Sequence, residues 1–433
     1  RPSTIHSMSP APPSYEEAAA TVAAYAAQLG QLRPAAERIG LAAAAGRVLG
    51  QPLCADRDQP PFARSTRDGF ACRAWEASAH GFLAIVGATR AGQAPAGQLP
   101  PGAAWEIMTG APVPAGADAV AMIEHVEVSG GQVRMLPPRK LTQGENIVAQ
   151  GAQAREGEEL LPAGTAIASA QIALAAACGY AALDVFFRPR VAILTTGDEL
   201  APVESSPAPG QIRNSNASML AAMVAAAGAE PWVLPTAADD ARSLDRAFAD
   251  VAEAGLLVIS GGVSAGKFDL VEPALARAGA RFHFTGVRIQ PGKPLVFGEL
   301  TRGRQAASQT HGERRTLPFF GLPGNPVSSA VTFLLFAAPV LAALAGRRDG
   351  GPRFALARLA AKTGKHGKPG LTRFLPAFCT FGVSAGQAPE VALVSWQGSG
   401  DLAALARSNC FLVVPEEADR LEAGAIVRIL LLP

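Results

Sequence analysis

From residue 190 to residue 348 the chain alternates short apolar runs with segments of helical spacing, and this alternation limits the fold more than any other feature. Apolar runs at 191–195, 231–235, 255–260 and 316–320 read as strands, with two more strands within 281–290 and 294–300. Helical spacing occupies 215–228, 240–254, 270–278 and 327–344. Strand and helix in alternation predict a mostly parallel sheet with helices on both faces. Such a sheet binds its ligands beyond the carboxyl ends of its strands. The sequence is informative at those positions, because three strands run directly into glycine-bearing loops: Thr195-Thr196-Gly197-Asp198-Glu199-Leu200, Ser260-Gly261-Gly262-Val263-Ser264-Ala265-Gly266, and Gly321-Leu322-Pro323-Gly324-Asn325-Pro326-Val327-Ser328. Any one of them is an ordinary strand-to-helix turn. Three together, with backbone N–H groups and helix N-termini, predict a site for a phosphate-bearing ligand.

Acidic residues stand in or beside these loops: Asp198, Glu199 and Asp269, with Asp239 and Asp240 ahead of a helix. Carboxylates repel phosphates unless a cation lies between them, and Mg2+ takes carboxylate, phosphate and water oxygens together. Asp198, Glu199 and Asp269 are therefore candidate Mg2+ ligands. Asp239 and Asp240 carry a second reading, since either could cap the following helix. Pro291-Gly292-Lys293-Pro294 holds one lysine in a rigid turn, and Arg373 is a second cation suited to an oxyanion.

Outside this region the character changes. Ser14 and Glu17 have capping-box spacing and predict a helix to about residue 29. Residues 51–155 are short β-like runs between turns and read as an inserted β-rich domain, and residues 163–180 return to helix. The expected division is a discontinuous helical linking domain (14–50 and 156–189), the insertion (51–155), the α/β domain (190–348) and a C-terminal β-rich domain (352–433) with a helix near 400–407.

Composition excludes several classes. A net charge of +2 without a basic stripe argues against nucleic acid. Five dispersed cysteines with no CxxC pair indicate neither a zinc site nor a disulfide scaffold, and fit a reducing cytoplasm. The longest apolar stretch, at 331–346, contains Pro339 and is short of the ~20 residues a bilayer needs, so it reads as a buried helix and no membrane is expected. No serine sits in a nucleophile elbow. His125 and His283 read as β-region residues with satisfied ring nitrogens.

In their order along the chain these motifs resemble a known family. Thr196-Gly197-Asp198-Glu199-Leu200, Gly210-Gln211-Ile212-Arg213-Asn214-Ser215-Asn216, Ser260-Gly261-Gly262-Val263-Ser264, Pro291-Gly292-Lys293-Pro294 and the 321–328 loop are similar to the molybdopterin molybdenumtransferases (MoeA and the gephyrin E domain). So are Asp68-Gly69-Phe70-Ala71, Ile107-Met108-Thr109-Gly110-Ala111-Pro112-Val113-Pro114, Gly144-Glu145-Asn146-Ile147 and Gln397-Gly398-Ser399-Gly400. The resemblance implies that molybdate is inserted into adenylylated molybdopterin with Mg2+ and release of AMP. It implies an elongated homodimer whose site is shared between subunits, with Asp68 and Thr109 facing the partner's acidic residues, and contact with a molybdopterin adenylyltransferase. By the same resemblance Glu199, Asp239, Asp269 and Lys293 act in catalysis. Gly197, Asn214, Asn216, Gly261, Gly262, Ser264, Gly324, Asn325, Pro326 and Ser328 would bind the cofactor precursor, and Lys293, Arg373 and Ser408 belong to its molybdate end. The chain departs from the family at Gln290, where lysine is frequent, at Gln153, where aspartate is frequent, and at Thr66-Arg67-Asp68-Gly69-Phe70, where Ser-Met-Asp-Gly-Tyr is usual. The alternatives are an adenylyltransferase or nucleotide hydrolase on the same α/β domain, a tungstate-specific paralogue, and a non-catalytic cofactor scaffold.

Overall fold

The computed structural model describes residues 11–251, 253–263, 270–301, 316–364, 370–382 and 388–433. The chain divides into two compact units, one of Arg1–Gly50, Gly164–Ala168 and Leu183–Pro433, the other of Gln51–Ala163 and Ser169–Ala182.

The first unit opens on α1 (Tyr15–Gly30), started by a complete capping box: Ser14 N donates to Glu17 Oε2 at 2.7 Å and Glu17 N to Ser14 Oγ at 3.1 Å. Its sheet is built from β1 (Arg190–Thr195), β2 (Glu230–Val233), β3 (Leu256–Ser260), β4 (Ala280–Thr285), β5 (Val296–Thr301) and β6 (Thr316–Leu322), in the order β2-β1-β3-β6-β5-β4. The first four are parallel, and β5 runs antiparallel to both of its neighbours. Between the strands lie α2 (Ser215–Ala226), α3 (Ala241–Asp250) and α4 (Val271–Arg277). After β6 come α5 (Pro326–Thr332), a π-helical turn at Phe333–Ala337, and α6 (Ala338–Leu344).

The period of two explains why both sheet faces are covered. Val191, Ile193, Leu256 and Val258 pack into one core with Leu220 and Val224 of α2 and with α5 and α6. Ala192, Leu194, Leu257 and Ile259 point the other way, onto Leu244, Ala274 and Leu275 of α3 and α4. Helix α1 lays Tyr15, Ala18, Val22, Tyr25 and Leu29, one helical stripe, onto the first core beside α6. The continuous helix Pro326–Leu344 is long and apolar enough to cross a bilayer, but 89% of that window is buried within the protein, as a core helix requires.

The chain leaves β1 toward β2 and then crosses to β3 on the opposite side of β1, so the strand order reverses between β1 and β3. Thr195 and Ser260 are register partners there, at the carboxyl ends. That reversal opens a crevice at the end of the sheet.

The C-terminal part of this unit is a closed barrel of β7 (Phe354–Leu359), β8 (Thr372–Thr380), β9 (Glu390–Leu393), β10 (Cys410–Val414) and β11 (Ile426–Leu431). The order β8-β9-β7-β11-β10 returns to β8. The short strand Ile289–Gln290 adds to β8 in parallel, with Gln290 opposite Arg373. The helix expected at 400–407 is confined to Leu402–Ala406, because Asp401 caps it by accepting from Ala404 N at 2.9 Å.

The second unit is centred on a six-stranded mixed sheet, in the order Ala119–Met122, Gly69–Cys72, Ala103–Ile107, Leu83–Thr89, Gln132–Met135 and Val126–Ser129. Two expectations change. Helix within 163–180 is limited to Ser169–Ala177, because the preceding residues are not helical: Gly164 turns at φ +88° and Ala166 bridges Val48. His283 lacks the satisfied ring expected of it: among the described residues its buried Nε2 has no partner, and the imidazole stacks on Phe297 at 4.7 Å. Burial holds its pKa down, so the neutral ring packs as an aromatic.

Candidate active site

At the carboxyl end of the parallel strands, the loops after β1, β3 and β6 converge on one cavity of about 670 Å3. Local chemistry builds each wall. Thr196 continues β1, donating its N–H to Ser260 O at 3.1 Å. Gly197 then turns at φ +146°, a conformation that favours glycine. Gly261, at φ +101°, donates its N–H to Leu322 O at 3.2 Å, which ties the β3 loop to the end of β6. A Cβ on Gly261 would meet Thr196 O at 2.5 Å, so only glycine lets these two loops approach so closely.

Two asparagines organise the opposite wall. Asn214 is the N-cap of α2, accepting from Ala217 N at 3.1 Å, while its Nδ2 donates to Thr195 Oγ1 at 2.8 Å and Thr236 Oγ1 at 3.2 Å. Asn216 Nδ2 donates to Gly324 O at 2.6 Å and Ser260 Oγ at 2.9 Å. Pro326 starts α5, where its missing N–H costs nothing. Asn325 reaches across to the segment after β9, donating to Ser399 Oγ at 2.9 Å.

Gly197, Glu199, Asn214, Asn216, Asp239, Gly261, Gly262, Gly324, Asn325 and Pro326 all line this cavity. Asp198 stands beside it, with Oδ1 accepting from Asp239 N at 3.2 Å. Burial raises the Asp239 pKa first, and the neighbouring charges of Asp198 and Glu199 add to the shift. Asp240 has the other role expected of this pair: it caps α3, accepting from Ser243 N at 2.9 Å and Ser243 Oγ at 2.6 Å. Among the described residues no three His, Cys, Asp or Glu side chains already converge as a metal site. Ser264 and Asp269 lie outside the described residues.

Other candidates are placed elsewhere. Ser328 is buried inside α5, its carbonyl accepting from Thr332 Oγ1, while Ser329 is the serine that reaches Ser260. Lys293 is exposed on its turn, next to the cavity-lining Pro294. Arg373 is 2% exposed, with Nε donating to Gln290 Oε1 at 3.2 Å and Nη1 to Leu371 O at 3.4 Å. Ser408 closes the helix after Asp401 by donating to Ala404 O at 2.8 Å. In the second unit, Asp68 Oδ1 accepts from both Thr109 N (2.6 Å) and Thr109 Oγ1 (2.9 Å). These bonds hold the Asp68 pKa below the usual aspartate value. The sequence names Thr195, Thr196 and Ser260 only as parts of the loops, and gives no sign of Thr236 or Ser329. The available signal was a hydroxyl residue ending an otherwise apolar strand, as at Thr195 and Ser260.

Three family models cover the chain: MoeA N-terminal region (domain I and II) at residues 13–179, "Probable molybdopterin binding domain" at 192–343, and MoeA C-terminal region (domain IV) at 357–432. A molybdopterin molybdenumtransferase of Nostoc sp. is 34% identical over 409 residues, spanning 92% of this chain and 89% of the relative. One of Bacillus subtilis is 35% identical over 398 residues, spanning 89% and 87%. The crystal structure of the molybdopterin biosynthesis MoeA protein of Pyrococcus horikoshii OT3 matches 98% of this chain and 100% of its own, at a TM-score of 0.76 and 26% identity. With a cavity lined mostly by the molybdopterin-binding region and related sequence on both sides of that region, the chain belongs to the molybdopterin molybdenumtransferase (MoeA) family.

Proposed function

We propose that this protein inserts molybdate into the dithiolene of adenylylated molybdopterin and releases AMP, completing the molybdenum cofactor. The observation that carries this reading is the cavity formed by three glycine-bearing loops at the sheet's reversal point, with Glu199 and Asp239 in its lining. The cofactor-domain models on both flanks argue against a stand-alone adenylyltransferase.

Backbone N–H groups of the loops and the start of α5 would bind the diphosphate, and their fixed positions lower the cost of organising it. Asp198, Glu199 and Asp239 bring negative charge together at the rim, where the charges of Asp198 and Glu199 add to the rise that burial causes in the Asp239 pKa. A divalent cation relieves it, so this donor set fits Mg2+. Asp198 and Glu199, with Asp269, would hold the ion. Mg2+ bound there supplies charge neutralisation to the diphosphate. Lys293, Arg373 and Ser408 would serve the molybdate end, where a tetrahedral dianion needs cations and hydroxyl donors. No protein nucleophile is required: water cleaves the phosphorus–oxygen bond, AMP departs, and molybdate is held against the dithiolene sulfurs.

We further propose a homodimer in which the Asp68–Thr109 pair of one subunit completes the cavity of the other, with the adenylyltransferase as the donor of the precursor, in the cytoplasm. The test is AMP release from adenylylated molybdopterin with and without molybdate, over a Mg2+ titration. Molybdate-dependent release supports the reading, and tight binding with no release replaces it with a scaffold. Mixing Asp68→Ala with Asp239→Ala protein tests the shared site: activity recovered in the mixture supports it, and none recovered removes it.

A further inference from the structure

The start of α5 takes its cap from the C-terminal barrel. Pro326 has no N–H, so Val327 carries the first N–H of the helix, and it donates to Ser399 O at 3.0 Å. Asn325 occupies the N-cap position but makes no side-chain cap bond, and its Nδ2 donates to Ser399 Oγ at 2.9 Å instead. Ser399 thus meets both the backbone and the side chain that open α5. Asn325 and Pro326 line the cavity.

Ser399 stands between two glycines, Gly398 at φ +103° and Gly400, so its own loop has few side chains to fix it. Asp401 closes that loop. Its Oδ2 accepts from Gln397 N at 3.0 Å, on one side of Ser399, and its N–H donates to Gly398 O at 3.1 Å. Its Oδ1 accepts from Ala404 N at 2.9 Å, on the other side, and so caps the helix Leu402–Ala406. The bonds from Ala404 and Gln397 favour the carboxylate and hold its pKa below the usual aspartate value. Asp240 shows what a cap alone requires: both of its oxygens go to Ser243, inside the helix it starts. Asp401 commits its second oxygen to the loop behind it. Gly400 and Leu402, on either side of Asp401, line the cavity, and Asp401 itself does not.

We propose that Asp401 is a positioning residue of the cavity: by clasping the 397–400 loop it holds Ser399 against Val327 and Asn325, and so fixes the α5 wall against which the diphosphate binds. This rests on the reading of the cavity as the site for adenylylated molybdopterin. Asp401 touches no ligand and acts through Ser399 and then Asn325. A wall fixed before the ligand arrives lowers the cost of binding, so the loss of the clasp is felt as weaker binding.

The experiment uses the full chain with Asp401→Ser, which keeps a cap for Ala404 N and has no second oxygen for Gln397 N, and with Asp401→Ala, which loses both. Asn325→Ala and the double variant Asp401→Ser/Asn325→Ala complete a cycle, and Asp240→Ala is the control for losing a cap alone. Equilibrium binding of ADP with Mg2+ is measured as the diphosphate probe, together with KM and kcat for adenylylated molybdopterin. Asp401→Ser and Asp401→Ala should each weaken ADP and raise KM roughly tenfold, with kcat within about twofold of wild type, while Asp240→Ala moves none of these. On the Asn325→Ala background, Asp401→Ser should add less than about threefold, because the two residues act in one chain of contacts. If Asp401→Ala fails to fold, Asp401→Ser and the cycle decide. A loss confined to Asp401→Ala makes Asp401 an ordinary cap and overturns the proposal. So does an equal loss on both backgrounds, and so does unchanged binding and KM. Wild-type protein that binds ADP but releases no AMP defeats the proposed reaction and leaves the binding comparison to decide the role of Asp401. Wild-type protein that binds no ADP but releases AMP when molybdate is present removes α5 as the diphosphate wall, and the proposal with it, while the reaction stands. Wild-type protein that does neither ends both.

Discussion

Gln290 Oε1 accepts a hydrogen bond from Arg373 Nε at 3.2 Å, joining the turn that bears Lys293 to a strand of the C-terminal barrel. Arg373 is among the most deeply buried large side chains of the described protein, and a neutral acceptor opposite it satisfies one edge of the guanidinium without adding charge. Replacing Gln290 with lysine removes the acceptor and sets a second cation beside a buried one. Gln290→Lys should therefore destabilise the protein by about 1–3 kcal/mol, read as a lower urea midpoint with unchanged slope. If Lys293 and Arg373 serve the oxyanion, the same variant should lower the KM for molybdate, a gain in binding against a loss in stability. An unchanged urea midpoint would show that the Gln290–Arg373 bond contributes nothing.

The β3 loop gives a stricter prediction. Gly261→Ala combines a backbone at φ +101° with a Cβ only 2.5 Å from Thr196 O, so the loop must move. The strain of forcing a side chain into that region is about 1–3 kcal/mol, and the displaced loop carries cavity-lining N–H groups. AMP release should fall at least tenfold, while Gly324→Ala, whose added Cβ meets only ordinary contacts, should be tolerated much better. Equal losses at both positions would count against a role for the φ of Gly261.

Asp68 supplies a pH dependence. Two hydrogen bonds from Thr109 favour its charged form and lower its pKa from 3.8. A group depressed in the folded state stabilises the fold above its unfolded pKa, and that contribution disappears as pH falls through the folded value. Titration of the Asp68 carboxyl by NMR should therefore give a value below 3.8 in the wild type. Thr109→Val removes the hydroxyl bond and keeps the backbone one, so the pKa should move part of the way back. No movement would mean the hydroxyl bond is not formed in solution.

The α/β core was legible because two physical periods are written in it: 2.0 along strands such as 191–195 and 3.6 along the helices between them. The glycine loops were legible because glycine marks backbone that other residues resist. Side-chain hydroxyls were not, since Thr195 or Ser260 gains its meaning only when the sheet brings residues 65 positions apart into register. The closure of the barrel by pairing β10 to β8 is equally non-local. The unmet nitrogen of His283 was hidden because a packed neutral imidazole and a hydrogen-bonded one look the same in sequence.

Asp239 and Asp240 show the same limit, and they yield a paired test. Adjacent aspartates before a helix offer two possible caps, and sequence alone does not choose between them. The fold does: Asp240 points along α3 to Ser243, while Asp239 faces the cavity near Asp198 and Glu199. Losing a cap costs about 1 kcal/mol, so Asp240→Ala should lower the urea midpoint and leave AMP release close to wild type. Asp239→Asn removes one of three crowded negative charges, so it should leave the apo protein as stable as the wild type or slightly more so. Its AMP release should drop at least tenfold, and more Mg2+ should be needed for half-maximal rate. The opposite assignment of stability and activity losses would mean that the two carboxylates have exchanged roles in solution.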